Sequence, residues 1–372
     1  MKVSFSDLYA TNQTVEEDVI QRIRELIRSS KFIGGEDLDK FEEEFAAYAK
    51  MRFCAGCANG TDALLVALKS LNIGHGDTVL TVPNTFIATT EAINYSGADL
   101  DFIDVEEDYH TMDPEKLERY LKSGKGKRVK AVMPVHLYGH MADMKRTREI
   151  ADEFKVNIIE DSAQAHGASL HGKTPGSWGD FATFSFFPGK NLGAFGDAGA
   201  IVTNNEDLFI KAKRIINHGR IKEKYTHEII GTNARLDNLQ ACILRFKLRN
   251  LDELTAQRIK NAERYTEKLK ANTMIMTPKV RHGAVHVYHL YVVKVAKRDS
   301  VLEELKKKEI IAGVHYPIPL HLQPAYKYLK IEEGSYPVSE KLSREVLSLP
   351  MWPQMEIEKI DHVADVLNDI CS

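Results

Sequence analysis

Two hydrophobic periods run through this chain, and the switches between them mark its elements. VEEDVIQRIRELIRS (15–29) and LDKFEEEFAAYA (38–49) space apolar side chains three and four apart, which predicts helices. From residue 61 helical and strand-like runs take turns. TDALLVALKSLNI (61–73), FIATTEAINYSG (86–97), PEKLERYLK (114–122) and MADMKRTREIADEFK (141–155) predict helices. TVLTV (78–82), LDFIDV (100–105), VKAVMPV (129–135) and VNIIED (156–161) are short apolar runs and predict buried strands. This alternation predicts an α/β fold with a mainly parallel sheet and helices on both faces.

Two β-rich runs follow, FATFSFF (181–187) and GAIVTN (199–204), then a helix at 206–217. A helical stretch runs from about Leu236 to Leu269 with no Pro or Gly to break it. It reads as the bridge to a second unit, with a strand at 289–296, a helix at 299–308 and a helical end. The predicted division is a large α/β domain over 1–245 and a smaller α+β domain over 246–372. A length of 372 residues suits two lobes better than one core.

Composition narrows the function classes. Charged residues make up 28% and the net charge is -3, with no basic block to follow a nucleic-acid backbone. No run approaches the ~18 consecutive apolar residues of a membrane span. The start, MKVSFSDLYATNQ, has no charged segment followed by an apolar one, so a cytoplasmic protein is expected. Cys54 and Cys57 form a single CxxC. Without a second Cys or His pair it predicts small packed residues and no metal site. Neither GxGxxG after a strand nor a Walker A sequence occurs, which disfavours the common nicotinamide and ATP enzymes.

Three strand-to-helix junctions carry chemistry. VNIIED ends in Glu160 and Asp161, where a carboxylate can meet a metal, a ribose hydroxyl or a protonated ring nitrogen. CANGTDALL (57–65) leads from Asn59-Gly60-Thr61 into a helix, which suits an anion, although taken alone the segment reads better as a plain Thr cap. FSFFPGKNLGAFGDAGAIVTN (184–204) sets Ser185 and Lys190 where an apolar run ends. A desolvated lysine loses its proton more easily, and a neutral amine can capture an aldehyde. A lysine, an acid and a phosphate loop together are what pyridoxal phosphate requires.

With CANGTDAL, NTFIATTEA (84–92), EDSAQAHGA (160–168), GTNARLDNLQA (231–241) and VHYPIPLHLQPAY (314–326), the chain resembles the DegT/StrS family of pyridoxal-phosphate-dependent nucleotide-sugar aminotransferases. The resemblance covers nearly the whole chain. It implies the fold-type-I transferase architecture and a homodimer with shared active sites. It implies that Lys190 binds the cofactor aldehyde, Asp161 the pyridine nitrogen, and Gln164 lies near the ring. Gly60, Thr61 and Ser185 would hold phosphate, Phe86 would lie against the ring, and Asn233 would reach the neighbouring subunit's phosphate. The cofactor would alternate between pyridoxal 5'-phosphate and pyridoxamine 5'-phosphate, with L-glutamate as donor and 2-oxoglutarate as by-product.

His315, Tyr316 and His321 would border the keto-sugar nucleotide, and Arg220 or Arg235 would grip its pyrophosphate. GKNLGAFGDAGA (189–200) resembles the variants acting on 3-keto sugars, linked to dTDP or UDP. A 4-keto-sugar aminotransferase, a sugar deoxygenase or dehydratase and a non-catalytic regulatory protein are the alternatives. Lysine at 190 favours transamination over dehydration, since the dehydrating branch has histidine there.

Overall fold

A computed structural model of the chain describes residues 1–221 and 224–372. Three helices come first: α1 (Leu8–Asn12), α2 (Glu16–Ser29) and α3 (Glu36–Tyr48). The alternating region then runs β1 (Phe53–Cys57), α4 (Gly60–Ser70), β2 (Thr78–Thr81), α5 (Ala88–Ser96), β3 (Asp99–Phe102), α6 (Pro114–Lys122), β4 (Val129–Val132), α7 (Met144–Phe154) and β5 (Asn157–Asp161). Next are β6 (Ser169–Leu170), β7 (Phe181–Ser185), β8 (Gly199–Thr203), α8 (Glu206–Ile216), α9 (Asn238–Leu248) and α10 (Leu251–Leu269). The chain closes with β9 (Ile275–Met276), β10 (Ala284–Val285), β11 (Tyr291–Val295), α11 (Arg298–Lys307), α12 (Pro337–Glu345), β12 (Val346–Leu349) and α13 (Ile357–Ile370).

Seven strands form the central sheet in the order β1-β8-β7-β5-β4-β2-β3. Pairings from β3 through β7 are parallel, whereas β8 runs antiparallel to both β7 and β1. Consecutive strand residues fall into different cores. Leu80, Val132 and Ile158 pack on one face with Leu117 of α6 and Ile150 of α7. Val79, Ala131 and Ile159 pack on the other with Leu64 of α4, Ile93 of α5 and Ile215 of α8. A sheet buried on both faces needs apolar residues at every position, which is why these strands read as unbroken runs.

Strands β12-β11-β9 form a smaller antiparallel sheet. It shares a core with α10, α11 and α13 through Tyr265, Leu305 and Val363. Val3 joins this core and bridges to Ile310, so the amino-terminal residues dock on the smaller sheet. No described helix is long and apolar enough to cross a membrane.

Several elements differ from the sequence reading. The stretch 236–269 is two helices, parted at Arg249 and Asn250, where Asn250 caps α10 with its carbonyl (to Leu254 N–H, 3.0 Å). Strand β12 lies in a segment expected to be helical. It follows α12 directly and is held by β11 on one side and by a bridge to Gly313 on the other. Helix α5 begins at Ala88, leaving Phe86 in the loop before it. The Cys54 and Cys57 thiols are buried in β1, unbonded to each other, and burial pushes both upward. Packing is therefore their role. Among the described residues no His, Cys, Asp or Glu cluster suits a metal.

Candidate active site

The parallel strands direct their carboxyl ends to one edge, where an open α/β sheet places its ligand crevice. Because β8 is antiparallel, its first residue reaches the same edge: Gly199 pairs with Cys57 of β1 and with Ser185 of β7. The loop Ala58–Asn59 and the start of α4 therefore lie directly against Ser185. A Cβ on Gly60 would sit 2.7 Å from the Ser185 Cβ, and one on Gly199 would sit 2.4 Å from the Asn59 oxygen. Only glycine fits at either place.

The cap of α4 is Asn59, whose side chain accepts the Asp62 N–H at 2.8 Å, so Thr61 is not the cap. The Ala63 N–H goes to the Asn59 carbonyl at 3.1 Å. The N–H groups of Gly60 and Thr61 make no protein hydrogen bond among the described residues. Two free donors at a helix start, beside a serine hydroxyl, suit a phosphate.

Adjacent residues of β5 point to opposite faces, and their surroundings differ accordingly. Glu160 is fully buried away from the crevice. One oxygen accepts the N–H groups of Gly176 (2.9 Å), Trp178 (3.2 Å) and Gly179 (2.8 Å), and the other meets His136 Nε2 at 2.9 Å. Asp161 accepts the Thr89 hydroxyl at 2.8 Å and the Ala163 N–H at 3.2 Å. Burial lifts its carboxyl, while those two bonds and the charge of Lys190 oppose the lift. Among the described residues this carboxylate has no cation in salt-bridge contact, and a protonated ring nitrogen would supply one.

Lys190 follows the tight loop after β7, its N–H on the Phe187 carbonyl at 2.8 Å. Burial pushes the ammonium from 10.5 down to about 8, and the Asp161 charge resists. At pH 7 about one such amine in ten is neutral, against about one in three thousand for an ordinary lysine. The neighbouring histidines stay neutral. Burial and then the Lys190 charge push His166 down to about 3 and His315 down to about 4.

Gln164 is buried beside them. Its Oε1 accepts the Tyr138 N–H at 2.6 Å, which leaves its NH₂ as donor, and Nε2 lies 3.4 Å from the Tyr316 hydroxyl. Phe86 is 56% exposed and its ring centroid lies 5.9 Å from that of Tyr316. His315 bonds Ser348 Oγ at 2.9 Å and stacks on Phe5 at 5.8 Å. Lys190, Asp161, Gln164, Phe86, His315 and Tyr316 thus share one neighbourhood.

Other expected residues lie elsewhere. His321 is 2% exposed, bonded to Glu340 at 3.0 Å and packed edge-on against Phe102 and Tyr336. Both partners belong to the fold, which ties the His321 ring and its Nε2 into packing. Arg235 bridges to Cys57 beside the Asn59–Thr61 segment, with one N–H on Asn217 Oδ1 at 3.1 Å. Arg220 donates to the Lys224 carbonyl. Asn233 is exposed and meets Asn217 through backbone alone. Three participants escaped the sequence reading: Thr89, Tyr138 and Phe5. Thr89 stands inside a quoted motif, three residues after Phe86, the spacing of one helix face.

The DegT/DnrJ/EryC1/StrS aminotransferase family profile matches residues 13–368. The chain belongs to this family. Among family relatives it is 39% identical over 368 residues to the dTDP-3-amino-3,4,6-trideoxy-alpha-D-glucose transaminase of Streptomyces venezuelae, covering 99% of this chain and 96% of that one. It is 41% identical over 367 residues to a protein of Geobacillus stearothermophilus named pleiotropic regulatory protein, covering 98% and 97%. The crystal structure of S. venezuelae DesV in complex with a ketimine intermediate matches with a TM-score of 0.96 at 39% identity, covering 100% of this chain and 99% of that one. The fold is that of these aminotransferases, with its mostly parallel seven-stranded sheet.

Proposed function

We propose that this protein transfers an amino group from L-glutamate to carbon 3 of a dTDP- or UDP-linked keto-sugar. The reading rests on one observation: a lysine with a depressed pKa, a buried carboxylate and two free N–H groups at a helix start meet at one sheet edge. The family and the S. venezuelae relative support it.

These residues fit pyridoxal phosphate. Gly60, Thr61 and Ser185 would take its phosphate, Asp161 its ring nitrogen, Gln164 its phenolic oxygen and Phe86 a ring face. When bound, that cofactor supplies an aldehyde that captures amines and a ring that accepts electrons from the adjoining carbon. Lys190 Nζ, neutral in a useful fraction near pH 7, would take the proton from the glutamate α-carbon; the amino nitrogen and the electron pair would pass to the cofactor, and water would supply the keto oxygen of the released 2-oxoglutarate. In the second half Lys190 Nζ returns a proton to the sugar carbon that gains nitrogen. Asp161 would face the ring nitrogen as a carboxylate, and the proton on that nitrogen would favour its charged form. His315 and Tyr316, on a loop pinned by the Leu320 N–H to the Pro83 carbonyl at 2.9 Å, would meet sugar hydroxyls.

The working unit in this proposal is a homodimer. Asn233 is exposed, with its bridge running to Asn217, and Phe32, Ile33, Tyr225 and Ile230 stand 44%, 57%, 83% and 97% exposed on the segments around it. Apolar side chains so placed suit a covering second copy.

A regulatory protein without turnover is the second reading, favoured by the name of the G. stearothermophilus relative. One experiment separates them. Holoenzyme is mixed with L-glutamate alone, and cofactor absorbance and 2-oxoglutarate are followed. Loss of the visible band with one 2-oxoglutarate per site supports the transferase. An unchanged band in protein that has taken up cofactor supports the regulator.

A further inference from the structure

Tyr138 is buried and hydrogen-bonded to two residues of this site, Gln164 and His315. It follows β4 in the turn Leu137–Gly139 and takes φ 61, a left-handed conformation unusual for a bulky side chain. Its main chain is held on both sides: the N–H donates to Gln164 Oε1 at 2.6 Å, and the carbonyl accepts the Leu290 N–H at 3.3 Å. Gly139 has no room for a Cβ, which would lie 2.8 Å from Val287. The Tyr138 hydroxyl donates to the His315 carbonyl.

We propose that Tyr138 is a positioning residue that sets the sugar-facing loop at a fixed height over the cofactor face of the site. This rests on the functional reading above. Its N–H orients the Gln164 amide so that only N–H donors face outward. Its hydroxyl holds the peptide joining His315 to Tyr316. The Tyr316 ring then stays against Phe86, with its hydroxyl in reach of Gln164. Backbone strain held in place by contacts on every side is what a positioning role predicts.

The test is Tyr138→Phe, which keeps the ring and every main-chain bond and removes one hydroxyl. Calorimetry on holoenzyme compares dTDP-glucose and UDP-glucose with dTDP and UDP, so that the hexose contribution is isolated. The expected result is a Kd about fivefold to tenfold weaker for the sugar nucleotide that wild type binds. The Kd of the free nucleotide stays within about twofold. Combining Tyr138→Phe with Tyr316→Phe should weaken hexose binding no further than Tyr316→Phe alone, since one residue acts through the other. Equal weakening of nucleotide and sugar nucleotide, or full additivity, overturns the proposal. Wild type that binds neither cofactor nor sugar nucleotide defeats the functional reading instead. Crystal structures of cofactor-free wild type and variant then decide Tyr138 by themselves: a His315–Tyr316 segment unmoved in the variant overturns the role, and one shifted off Phe86 upholds it.

Discussion

Replacing Lys190 by methionine should make the cofactor-free protein more stable while abolishing its chemistry. Methionine keeps most of the unbranched stem and removes the charge. Burial has moved the ammonium from 10.5 to about 8 despite the attraction of Asp161, so the folded state holds this proton less tightly than the unfolded chain. Linkage then sets sign and size. The unfolded chain binds more protons between those two values, so wild-type stability rises with pH across that window. At pH 7 the lysine destabilises the fold by about 3 kcal/mol, and at pH 9.5 by roughly half as much.

Urea unfolding of cofactor-free wild type and Lys190→Met at the two pH values measures both numbers. The variant should lead at pH 7, and its lead should shrink by about half at pH 9.5. A variant less stable at pH 7, or a lead that does not change with pH, refutes the argument that the amine is held poised by desolvation.

Three further outcomes follow from the geometry. Gly60→Ala pushes a methyl into Ser185 and should weaken cofactor binding at least about tenfold, read by equilibrium dialysis, with the far-ultraviolet spectrum unchanged. Asp161→Asn should still take up cofactor but slow the glutamate half-reaction by on the order of 10²–10³, measured by stopped-flow absorbance. His321→Gln should cost about 1–3 kcal/mol of stability by losing the buried ring packed on Phe102 and Tyr336, while the Gly334 and Tyr336 N–H groups still pair Glu340, yet leave KM for the sugar nucleotide unchanged; a raised KM would return His321 to the substrate site.

The sequence carried the sheet because its strands are buried on both faces, which writes them as apolar runs. It singled out Lys190 and Asp161, which the structure brings near each other, because each stands at the end of such a run. Choosing Asp161 over Glu160 needed the resemblance, since alternation alone says only that they face apart. The division of 236–269 was hidden because Asn250, and no Pro or Gly, parts the helices. His321 could not be separated from His315 by type or spacing. They share one loop, and only the presence of Glu340 beneath the former distinguishes them. Tyr138 gave no signal at all: left-handed backbone at a tyrosine is imposed by tertiary contacts, and its main-chain bonds leave no mark on composition or period.

The most direct test supplies holoenzyme with ¹⁵N-labelled L-glutamate and a panel of 3-keto and 4-keto hexoses linked to dTDP or UDP, and locates the label by mass spectrometry and NMR. The account predicts ¹⁵N on carbon 3 of a single nucleotide-linked sugar, with no transfer in Lys190→Ala. Label on carbon 4, or sugar amination that persists in Lys190→Ala, would contradict it.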